Sequence, residues 1–250
     1  KVCVEGYVKQ RGETGELEIV KMLAPDALEG LAPSTAILDL QRDPLLLAQG
    51  DGACVLGNIG WELRHGADGS LQTDGSGNPL TIWKDGVKVD AARLAEVYFI
   101  KKVALAPVRY GDHGMLLFRF DAGGVSAPDG SQTRALAVSL DAYYTDPLKM
   151  VYSPLEALRG RYQVYYSIQT GERYADVKFN YNEFNMPGRL ALELYPLLLD
   201  AAQKARLLES AIAKATANNK GEMYSLFYNS CANSAFSLIN GVLPPERKVQ

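Results

Sequence analysis

The segment HGMLLFRF, residues 113–120, sets a histidine ahead of a run of small and apolar residues. This pattern is typical of a buried strand, and it puts His113 at the strand's exposed beginning. Other segments of strand character surround it: AEVYFIKKVALAPV (95–108), RALAVSLDAYY (134–144), RYQVYYSI (161–168) and RYADVKFNYNEF (173–184). Turn-like residues separate several of them, so we expect a series of antiparallel strands.

After NMPGR (185–189) the apolar period becomes helical. Asp200 is a suitable N-cap for the segment 201–219, in which Ala201, Ala205, Leu208 and Ile212 share one face. A second helix follows and ends at Gly241. Because strands come first and helices follow, the sequence predicts an α+β fold with an antiparallel sheet packed with helices.

The first 95 residues have a different sequence pattern, with short predicted strands and many turn residues. The segment 2–23 predicts two strands around a turn at residues 11–15, and three later Asp-Gly steps indicate tight turns between short strands. His65 lies beside one such turn, where a surface histidine is expected. We therefore predict a β-rich N-terminal subdomain over residues 1–95 and a second domain over residues 96–250.

Composition and charge exclude several function classes. A formal net charge of −3 and a pI near 5.5 give no electrostatic case for nucleic acid or anionic lipid. The longest apolar stretches fall well short of the ~20 residues that a membrane-spanning helix needs. Neither a metal-ligand spacing nor a phosphate-binding glycine loop is present, so no metal and no cofactor are expected.

The sequence leaves two alternatives for the cellular compartment and two for the pairing of the cysteines. The chain opens on Lys1, which fits either a sequence trimmed at an arbitrary point or a mature exported chain whose signal peptide has been removed. Three cysteines are present, Cys3, Cys54 and Cys231. Either Cys3 pairs with Cys54 in an oxidising compartment, or all three thiols are reduced and buried.

Cys231 lies in SLFYNSCANSAFSLING, residues 225–241, where Asn229 or Ser230 can cap the following helix. A thiol in the first turn of a helix faces unpaired N–H groups and the positive end of the helix dipole, which lower its pKa. The same N–H groups can hold an oxyanion. The alternative is a small buried core residue, because free cysteine is among the most buried residue types. A nucleophile would need a base, and His113 is the better placed of the two histidines.

The segments DHGMLLFRF (112–120), LAVSLDAYY (136–144) and YSLFYNSCANSAFSLI (224–239) together resemble a bacterial family first catalogued as a domain of unknown function. That family is associated with the N-terminal periplasmic domain of the Lnb lipoprotein acyltransferases. The tyrosine-rich segment that ends at Arg189 resembles the same family, and the resemblance covers roughly residues 96–245. The family is in turn similar to circularly permuted NlpC/P60, papain-like thiol enzymes, in which the histidine precedes the cysteine.

The resemblance implies that Cys231 is the nucleophile and His113 its base. A third polar group on the next strand would orient the imidazole, and the matching position is Asp141 or Ser139, which share one face of a strand. Asp141 is chemically better, because a carboxylate stabilises the imidazolium. Many relatives have Asn directly before Cys, whereas Ser230 intervenes in this chain.

Supporting roles are expected for a few other residues. Asn229 could assist the site, and Arg189 could hold a substrate carboxylate or phosphate, or form a structural salt bridge. Tyr228, with Tyr224 and Phe227, could line an acyl or peptide groove, or belong to the core.

The predicted function is an exported cysteine-nucleophile enzyme, a hydrolase or an acyltransferase, acting on an amide or ester bond of a cell-envelope component. The expected partner is a peptide or a lipoprotein acyl group, with no cofactor, no nucleic acid and no transmembrane segment in this chain. The alternative is a non-catalytic envelope binding or scaffolding domain on the same fold.

Overall fold

The structure is a computed structural model. It describes residues 2–4, 7–11, 17–22, 41–50, 52–74, 79–104, 113–143, 154–179, 190–219 and 221–248.

In chain order the strands are β1 (Val2–Val4), β2 (Tyr7–Arg11), β3 (Leu17–Met22), β4 (Leu45–Gly50), β5 (Ala53–Gly57), β6 (Ile59–Leu63), β7 (Thr81–Lys84), β8 (Val87–Asp90), β9 (Leu94–Ala104), β10 (His113–Phe120), β11 (Val125–Ser126), β12 (Gln132–Thr133), β13 (Ala135–Tyr143), β14 (Gln163–Thr170) and β15 (Leu190–Pro196). The helices are α1 (Pro154–Leu158), α2 (Gly171–Phe179), α3 (Ala201–Thr216) and α4 (Cys231–Val242), and short 3₁₀ turns lie at Ala91–Arg93 and Pro245–Arg247.

The described strands form three sheets. A seven-stranded sheet has the order β15-β9-β10-β13-β14-β6-β7, and a five-stranded sheet has the order β12-β11-β8-β5-β4. The strands β1, β2 and β3 form a third sheet in that order. Neighbouring strands are antiparallel, except that β14 and β6 run parallel. The α+β class predicted from the sequence is confirmed.

The predicted N-terminal strands are present. The segment expected as the first strand is divided into β1 and β2, and β3 is the second, while the turn predicted between β2 and β3 lies outside the described residues. An Asp-Gly turn joins β7 to β8, and Gly86 adopts φ +71° there, a conformation that favours glycine. Strands β6 and β7 belong to the same sheet as β9 and β10.

The main core lies between the seven-stranded sheet and the two C-terminal helices and continues into the five-stranded sheet. Residues of one parity on β10 and β13 are buried on this side, among them Leu116 and Phe118 of β10 and Val138 of β13. Ile212 of α3 and Ile239 of α4 belong to the same cluster. Each such side chain contributes roughly 1.5–3 kcal/mol on burial. Helix α4 is therefore held firmly against the strands that carry the candidate site.

Helix α3 begins where the sequence predicts. Asp200 accepts a hydrogen bond from the Gln203 N–H, and the Gln203 side chain accepts one from the Asp200 N–H, which makes a capping box. Leu208 and Ile212 are buried, as the apolar period indicates. The prediction of the Asp200 cap is confirmed.

Two segments differ from the prediction. Residues 173–184 were expected to form a strand, but residues up to Phe179 form helix α2, because the Thr170 hydroxyl accepts a hydrogen bond from the Arg173 N–H and caps the helix at 3.0 Å. The segment after NMPGR begins with a strand, β15, which pairs with β9 before the helical period starts. Helix α2 was missed because the apolar pattern hides its cap. Strand β15 was missed because its partner, β9, is distant in the sequence.

Of the two alternatives for the cysteines, a disulfide or reduced thiols, Cys54 has the reduced thiol. Cys54 is a free, buried thiol on β5. Its pKa is raised to about 11 because burial disfavours the thiolate.

Candidate active site

The N-terminus of α4 carries Cys231. Ser230 is the N-cap, with extended backbone angles, and its hydroxyl accepts a hydrogen bond from the Asn233 N–H at 3.3 Å. Cys231 is the first residue of the helix and is 6% exposed. Of the two caps considered from the sequence, the structure therefore has Ser230. Asn229 instead donates through its side chain to the Met223 carbonyl at 3.3 Å.

The pairing of β10 with β13 brings the polar candidates together. Leu116 pairs with Val138 and Leu117 with Ala137. Extending this antiparallel register puts His113 opposite Asp141, with Ser139 diagonally adjacent on the same face. Strand parity alone had predicted that Ser139 and Asp141 share a face.

The imidazole of His113 contacts both candidates for its partner. Nε2 lies 2.6 Å from the Ser139 hydroxyl oxygen and 3.2 Å from Asp141 Oδ1. The side chain of Ser139 is buried, whereas that of Asp141 is 35% exposed. Because Nε2 contacts these two groups, Nδ1 is the ring nitrogen that is available to another partner. The sequence posed Ser139 and Asp141 as alternatives, and the structure has both in contact with the ring.

Gly114 allows the helix to approach the strand. Its N–H donates to Cys231 Sγ at 3.5 Å. A Cβ at this position would lie 2.9 Å from a ring atom of Phe99 and 3.3 Å from the Cα of Ala232. A side chain at position 114 would therefore push the first turn of α4 away from His113. Gly114 directly follows the candidate base, but no local pattern in the sequence marks it as part of the site.

Cys231 and His113 shift each other's titration. Burial would raise the pKa of Cys231, but attraction to the imidazolium, a hydrogen bond with His113 and the Gly114 N–H outweigh it, and the pKa falls to about 7. Burial would likewise lower the pKa of His113, but the negative charges of the Cys231 thiolate and the Asp141 carboxylate raise it above its ordinary value. Both directions favour a thiolate–imidazolium pair near neutral pH.

A second set of polar groups lies behind Asp141. Ser167 of β14 pairs with Ser139 and donates to Asp141 Oδ2 at 3.0 Å. The Gln169 amide lies 3.5 Å from the Ser167 hydroxyl oxygen, and both residues are buried. Sequence reasoning missed Ser167, although the buried polar residues Ser167, Gln169 and Thr170 at the end of one strand are an unusual signal.

The aromatic residues before Cys231 divide into two groups. Tyr224 is buried in the main core, and its hydroxyl lies 3.9 Å from Cys231 Sγ. Phe227 and Tyr228 are 71% and 88% exposed. A contact of Tyr228 with substrate remains a prediction. Arg189 lies outside the described residues.

A small cavity separates α4 from β10 and β13. Its volume is about 10 Å³, which is room for about one water molecule. Cys231, Ser139 and Ser234 are among the residues that line it, and the Ser234 hydroxyl lies 3.0 Å from that of Tyr166. Most of the remaining lining is apolar. The cavity is too small for a substrate, which would have to approach the thiol from outside.

The fold and this site together define an α+β protein with a buried thiol next to an imidazole at a helix N-terminus. The model of one family, the Lnb N-terminal periplasmic domain, matches residues 83–250, which is more than half of the chain. The chain belongs to this family, and the recognition made from the sequence segments is confirmed. No curated protein and no solved structure matches the chain.

The family fixes the compartment. Because it is a periplasmic domain associated with the cell envelope, the chain is an exported, periplasmic protein. Among the residues that the structure describes, no helix has the length and apolar character needed to cross a membrane. Those residues also contain no group of three or more His, Cys, Asp or Glu side chains suited to a metal ion.

Proposed function

We propose that this chain is a cysteine-nucleophile enzyme, a hydrolase or an acyltransferase, that acts on an amide or ester bond of a cell-envelope component. One observation carries the proposal: Cys231 begins a helix next to His113, and its pKa is lowered to about 7 despite burial. Perturbation of this kind, with a named charge partner, is typical of catalytic thiols. The periplasmic family supports the choice of an envelope substrate.

The proposed reaction begins with the thiolate–imidazolium pair. The Cys231 thiolate attacks the substrate carbonyl carbon, a C–S bond forms, and the carbonyl electrons move to oxygen. The N–H groups of Cys231 and Ala232 are the oxyanion donors, because the first N–H groups of a helix lie outside its own hydrogen-bond ladder.

Collapse of the adduct breaks the bond to the leaving amine or alcohol. The leaving group takes the proton from the His113 imidazolium, and a thioester remains on Cys231. An acceptor then attacks the thioester carbonyl and gives its proton to His113, the C–S bond breaks, and the acyl product leaves with the Cys231 thiolate and the His113 imidazolium restored. With water as acceptor the enzyme is a hydrolase, and with an amine it is an acyltransferase.

Ser139 and Asp141 are proposed to hold the imidazole throughout. The Nε2–H group donates to them, which leaves Nδ1 to exchange protons with the thiol and the leaving group. Asp141 adds the negative charge that stabilises the imidazolium.

The order of His113 before Cys231 supports a permuted papain-like arrangement, and we propose this arrangement for residues 96–250, with residues 1–95 as a β-rich subdomain. The proposed substrate is a cell-wall peptide or a lipoprotein acyl group. Asn229, Tyr228 and Arg189 are proposed to support substrate binding. The reaction as written needs no cofactor.

A second function is favoured by one observation. Cys231 is only 6% exposed, and the cavity beside it has room for about one water. A thiol that is so little exposed, beside so small a cavity, would suit a non-catalytic envelope binding domain that retains the fold.

Alkylation of Cys231 by iodoacetamide as a function of pH separates the two functions. For the enzyme we expect a midpoint near 7, in line with the lowered pKa, and a higher midpoint in His113→Ala. His65→Ala is the control, because His65 is exposed and bonded locally to the Leu63 carbonyl. A midpoint near ~8.5 that His113→Ala leaves unchanged would refute the enzyme proposal.

A further inference from the structure

We propose that Tyr224 is a further catalytic residue of this site, whose hydroxyl donates a hydrogen bond to the oxyanion formed when Cys231 adds to a carbonyl. The inference rests on the proposed thiol chemistry and adds a donor from outside the helix. It also predicts which reactions of the thiol should depend on this residue.

The distance between the two side chains fits this role. The Tyr224 hydroxyl points toward Cys231 Sγ at 3.9 Å, which is long for a strong bond to the resting thiol. In the tetrahedral adduct, however, the oxyanion lies two bonds from the sulfur, and effective donors lie about 2.7–3.1 Å from that oxygen. A hydroxyl 3.9 Å from the sulfur can therefore reach the oxyanion.

The Cys231 sulfur already has two other partners. It accepts from the Gly114 N–H, and the neighbouring His113 imidazolium provides an opposite charge. At 3.9 Å the Tyr224 hydroxyl is farther from the sulfur than the Gly114 N–H, which lies at 3.5 Å, so it is a weak donor to the resting thiolate. We therefore expect its main effect on the transition state.

Tyr224 is held rigidly before any substrate arrives. Its N–H donates to the Tyr162 carbonyl at 2.9 Å, and the adjacent Met223 forms a bridge with Gln163 at the start of β14. The side chain is 5% exposed and belongs to the main core. A donor fixed in advance needs little reorganisation during the reaction, which is what makes such groups effective.

The helix supplies the other donors. Ser230 uses the Asn233 N–H for its cap, and Ser234 begins the helical ladder by donating to the Ser230 carbonyl at 2.9 Å. The N–H groups of Cys231 and Ala232 remain outside the ladder. Tyr224 thus adds a side-chain donor to these two backbone donors. The hydroxyl keeps its proton, because the substrate's leaving group is protonated by His113.

The experiment compares two reactions of Cys231 in the full chain. Acylation by p-nitrophenyl acetate passes through an oxyanion, whereas alkylation by iodoacetamide displaces iodide without one. We expect Tyr224→Phe to lower the ratio of acylation rate to alkylation rate by about 100-fold. The pH midpoint of alkylation should stay unchanged. Tyr162→Phe is the control, since it also removes a buried tyrosine hydroxyl from the same region and should leave the ratio unchanged.

Two results would overturn the inference. An unchanged ratio in Tyr224→Phe would show that the hydroxyl is not an oxyanion donor. Equal losses in both reactions, with a raised alkylation midpoint, would show that it stabilises the thiolate instead. Circular dichroism checks that each variant is folded, and fluorotyrosine at position 224, which keeps the ring and makes the hydroxyl a stronger acid, replaces Tyr224→Phe if the latter does not fold; an unchanged ratio with fluorotyrosine would equally contradict the inference.

The same data separate this inference from the proposed function. A wild-type protein that p-nitrophenyl acetate does not acylate, and whose alkylation midpoint lies near ~8.5, would refute the thiol enzyme itself. A wild-type protein that is acylated, with a Tyr224→Phe variant of equal ratio, would refute only the role of Tyr224.

Discussion

Cys54 and Cys231 are two buried thiols with opposite chemistry. They are 8% and 6% exposed, yet the pKa of Cys54 is raised to about 11 and that of Cys231 is lowered to about 7. Cys54 lies on β5, opposite Val89 of β8, and burial alone accounts for its shift. Burial therefore does not distinguish a core cysteine from a reactive one in this protein.

The surroundings of Cys231 make the difference. Burial acts on it as well and is the largest single influence, but the His113 imidazolium and the Gly114 N–H together outweigh it. These groups act on Cys231 only because the first turn of α4 packs against the first residues of β10. The groups that contact a thiol, and not its burial alone, therefore decide its reactivity in this protein.

The largest effect should come from removing the imidazole. His113→Ala leaves Cys231 buried without an opposite charge, which makes its surroundings resemble those of Cys54. We expect acylation by p-nitrophenyl acetate at pH 7 to fall by about 10³-fold, within the usual range for a lost general base. Spectrophotometry of released nitrophenolate measures this rate. Acylation at the wild-type rate in His113→Ala would mean that the imidazole is not needed.

The next effect concerns the selectivity of alkylation in the unaltered chain. At pH 7 about half of Cys231 but only about one in ten thousand of Cys54 should be thiolate. A less basic thiolate is also less nucleophilic, which reduces the expected advantage to about 100-fold. Peptide mass mapping after brief iodoacetamide treatment gives the ratio. Equal labelling of the two cysteines would remove the basis of the comparison.

Much of this site could be predicted because the signals are local. The strand that begins at His113, the shared parity of Ser139 and Asp141 and the polar cap before Cys231 each involve only a few consecutive residues. Strand period and capping chemistry act over such distances, so a single sequence reveals them. The α+β order of strands before helices follows from the same local patterns.

The rest depends on contacts between distant segments. Gly114 matters because a helix that begins more than a hundred residues later packs against it. Ser167 matters because β14 pairs with β13, and Tyr224 because its backbone is bonded to the residue before β14. Helix α2 is the exception: its Thr170 cap is local, but the strand-like alternation of residues 173–184 led to the wrong prediction of a strand. No apolar period reveals these relations.

The approach of α4 can be tested through two glycines. Gly114→Ala would place a Cβ 2.9 Å from Phe99, so we expect a loss of about 1–3 kcal/mol in the free energy of unfolding and slower alkylation of Cys231. Gly241→Ala lies in the same helix with no atom within 4 Å of the added Cβ, and it should be neutral or slightly stabilising. Urea denaturation measures both. Equal stability of the two variants would argue against a tight contact at Gly114.

The partners of the imidazole should have a smaller effect. Asp141→Asn removes one of the charges that raise the pKa of His113, so this pKa should fall, as NMR titration of the ring would show. Acylation should drop by about 10-fold, less than the roughly 10⁴-fold loss in triads that rely on the carboxylate alone. Ser139→Ala removes the 2.6 Å contact but keeps the charge, so the fall in pKa should be absent. A pKa that falls equally in both variants would contradict the separate roles.

The smallest effect is expected at the cap of α4. Ser230→Ala removes the hydroxyl that accepts from the Asn233 N–H and should cost about 1 kcal/mol in the free energy of unfolding. Asp200→Ala removes the corresponding cap of α3 and should cost a similar amount, so the pair separates a loss of stability from a loss of reactivity. Only Ser230→Ala should also slow alkylation of Cys231, because only that cap fixes the helix start beside His113. If both variants slowed alkylation equally, the helix start would matter through overall stability alone, and the contrast between Cys231 and Cys54 would then depend on the imidazole and not on the cap.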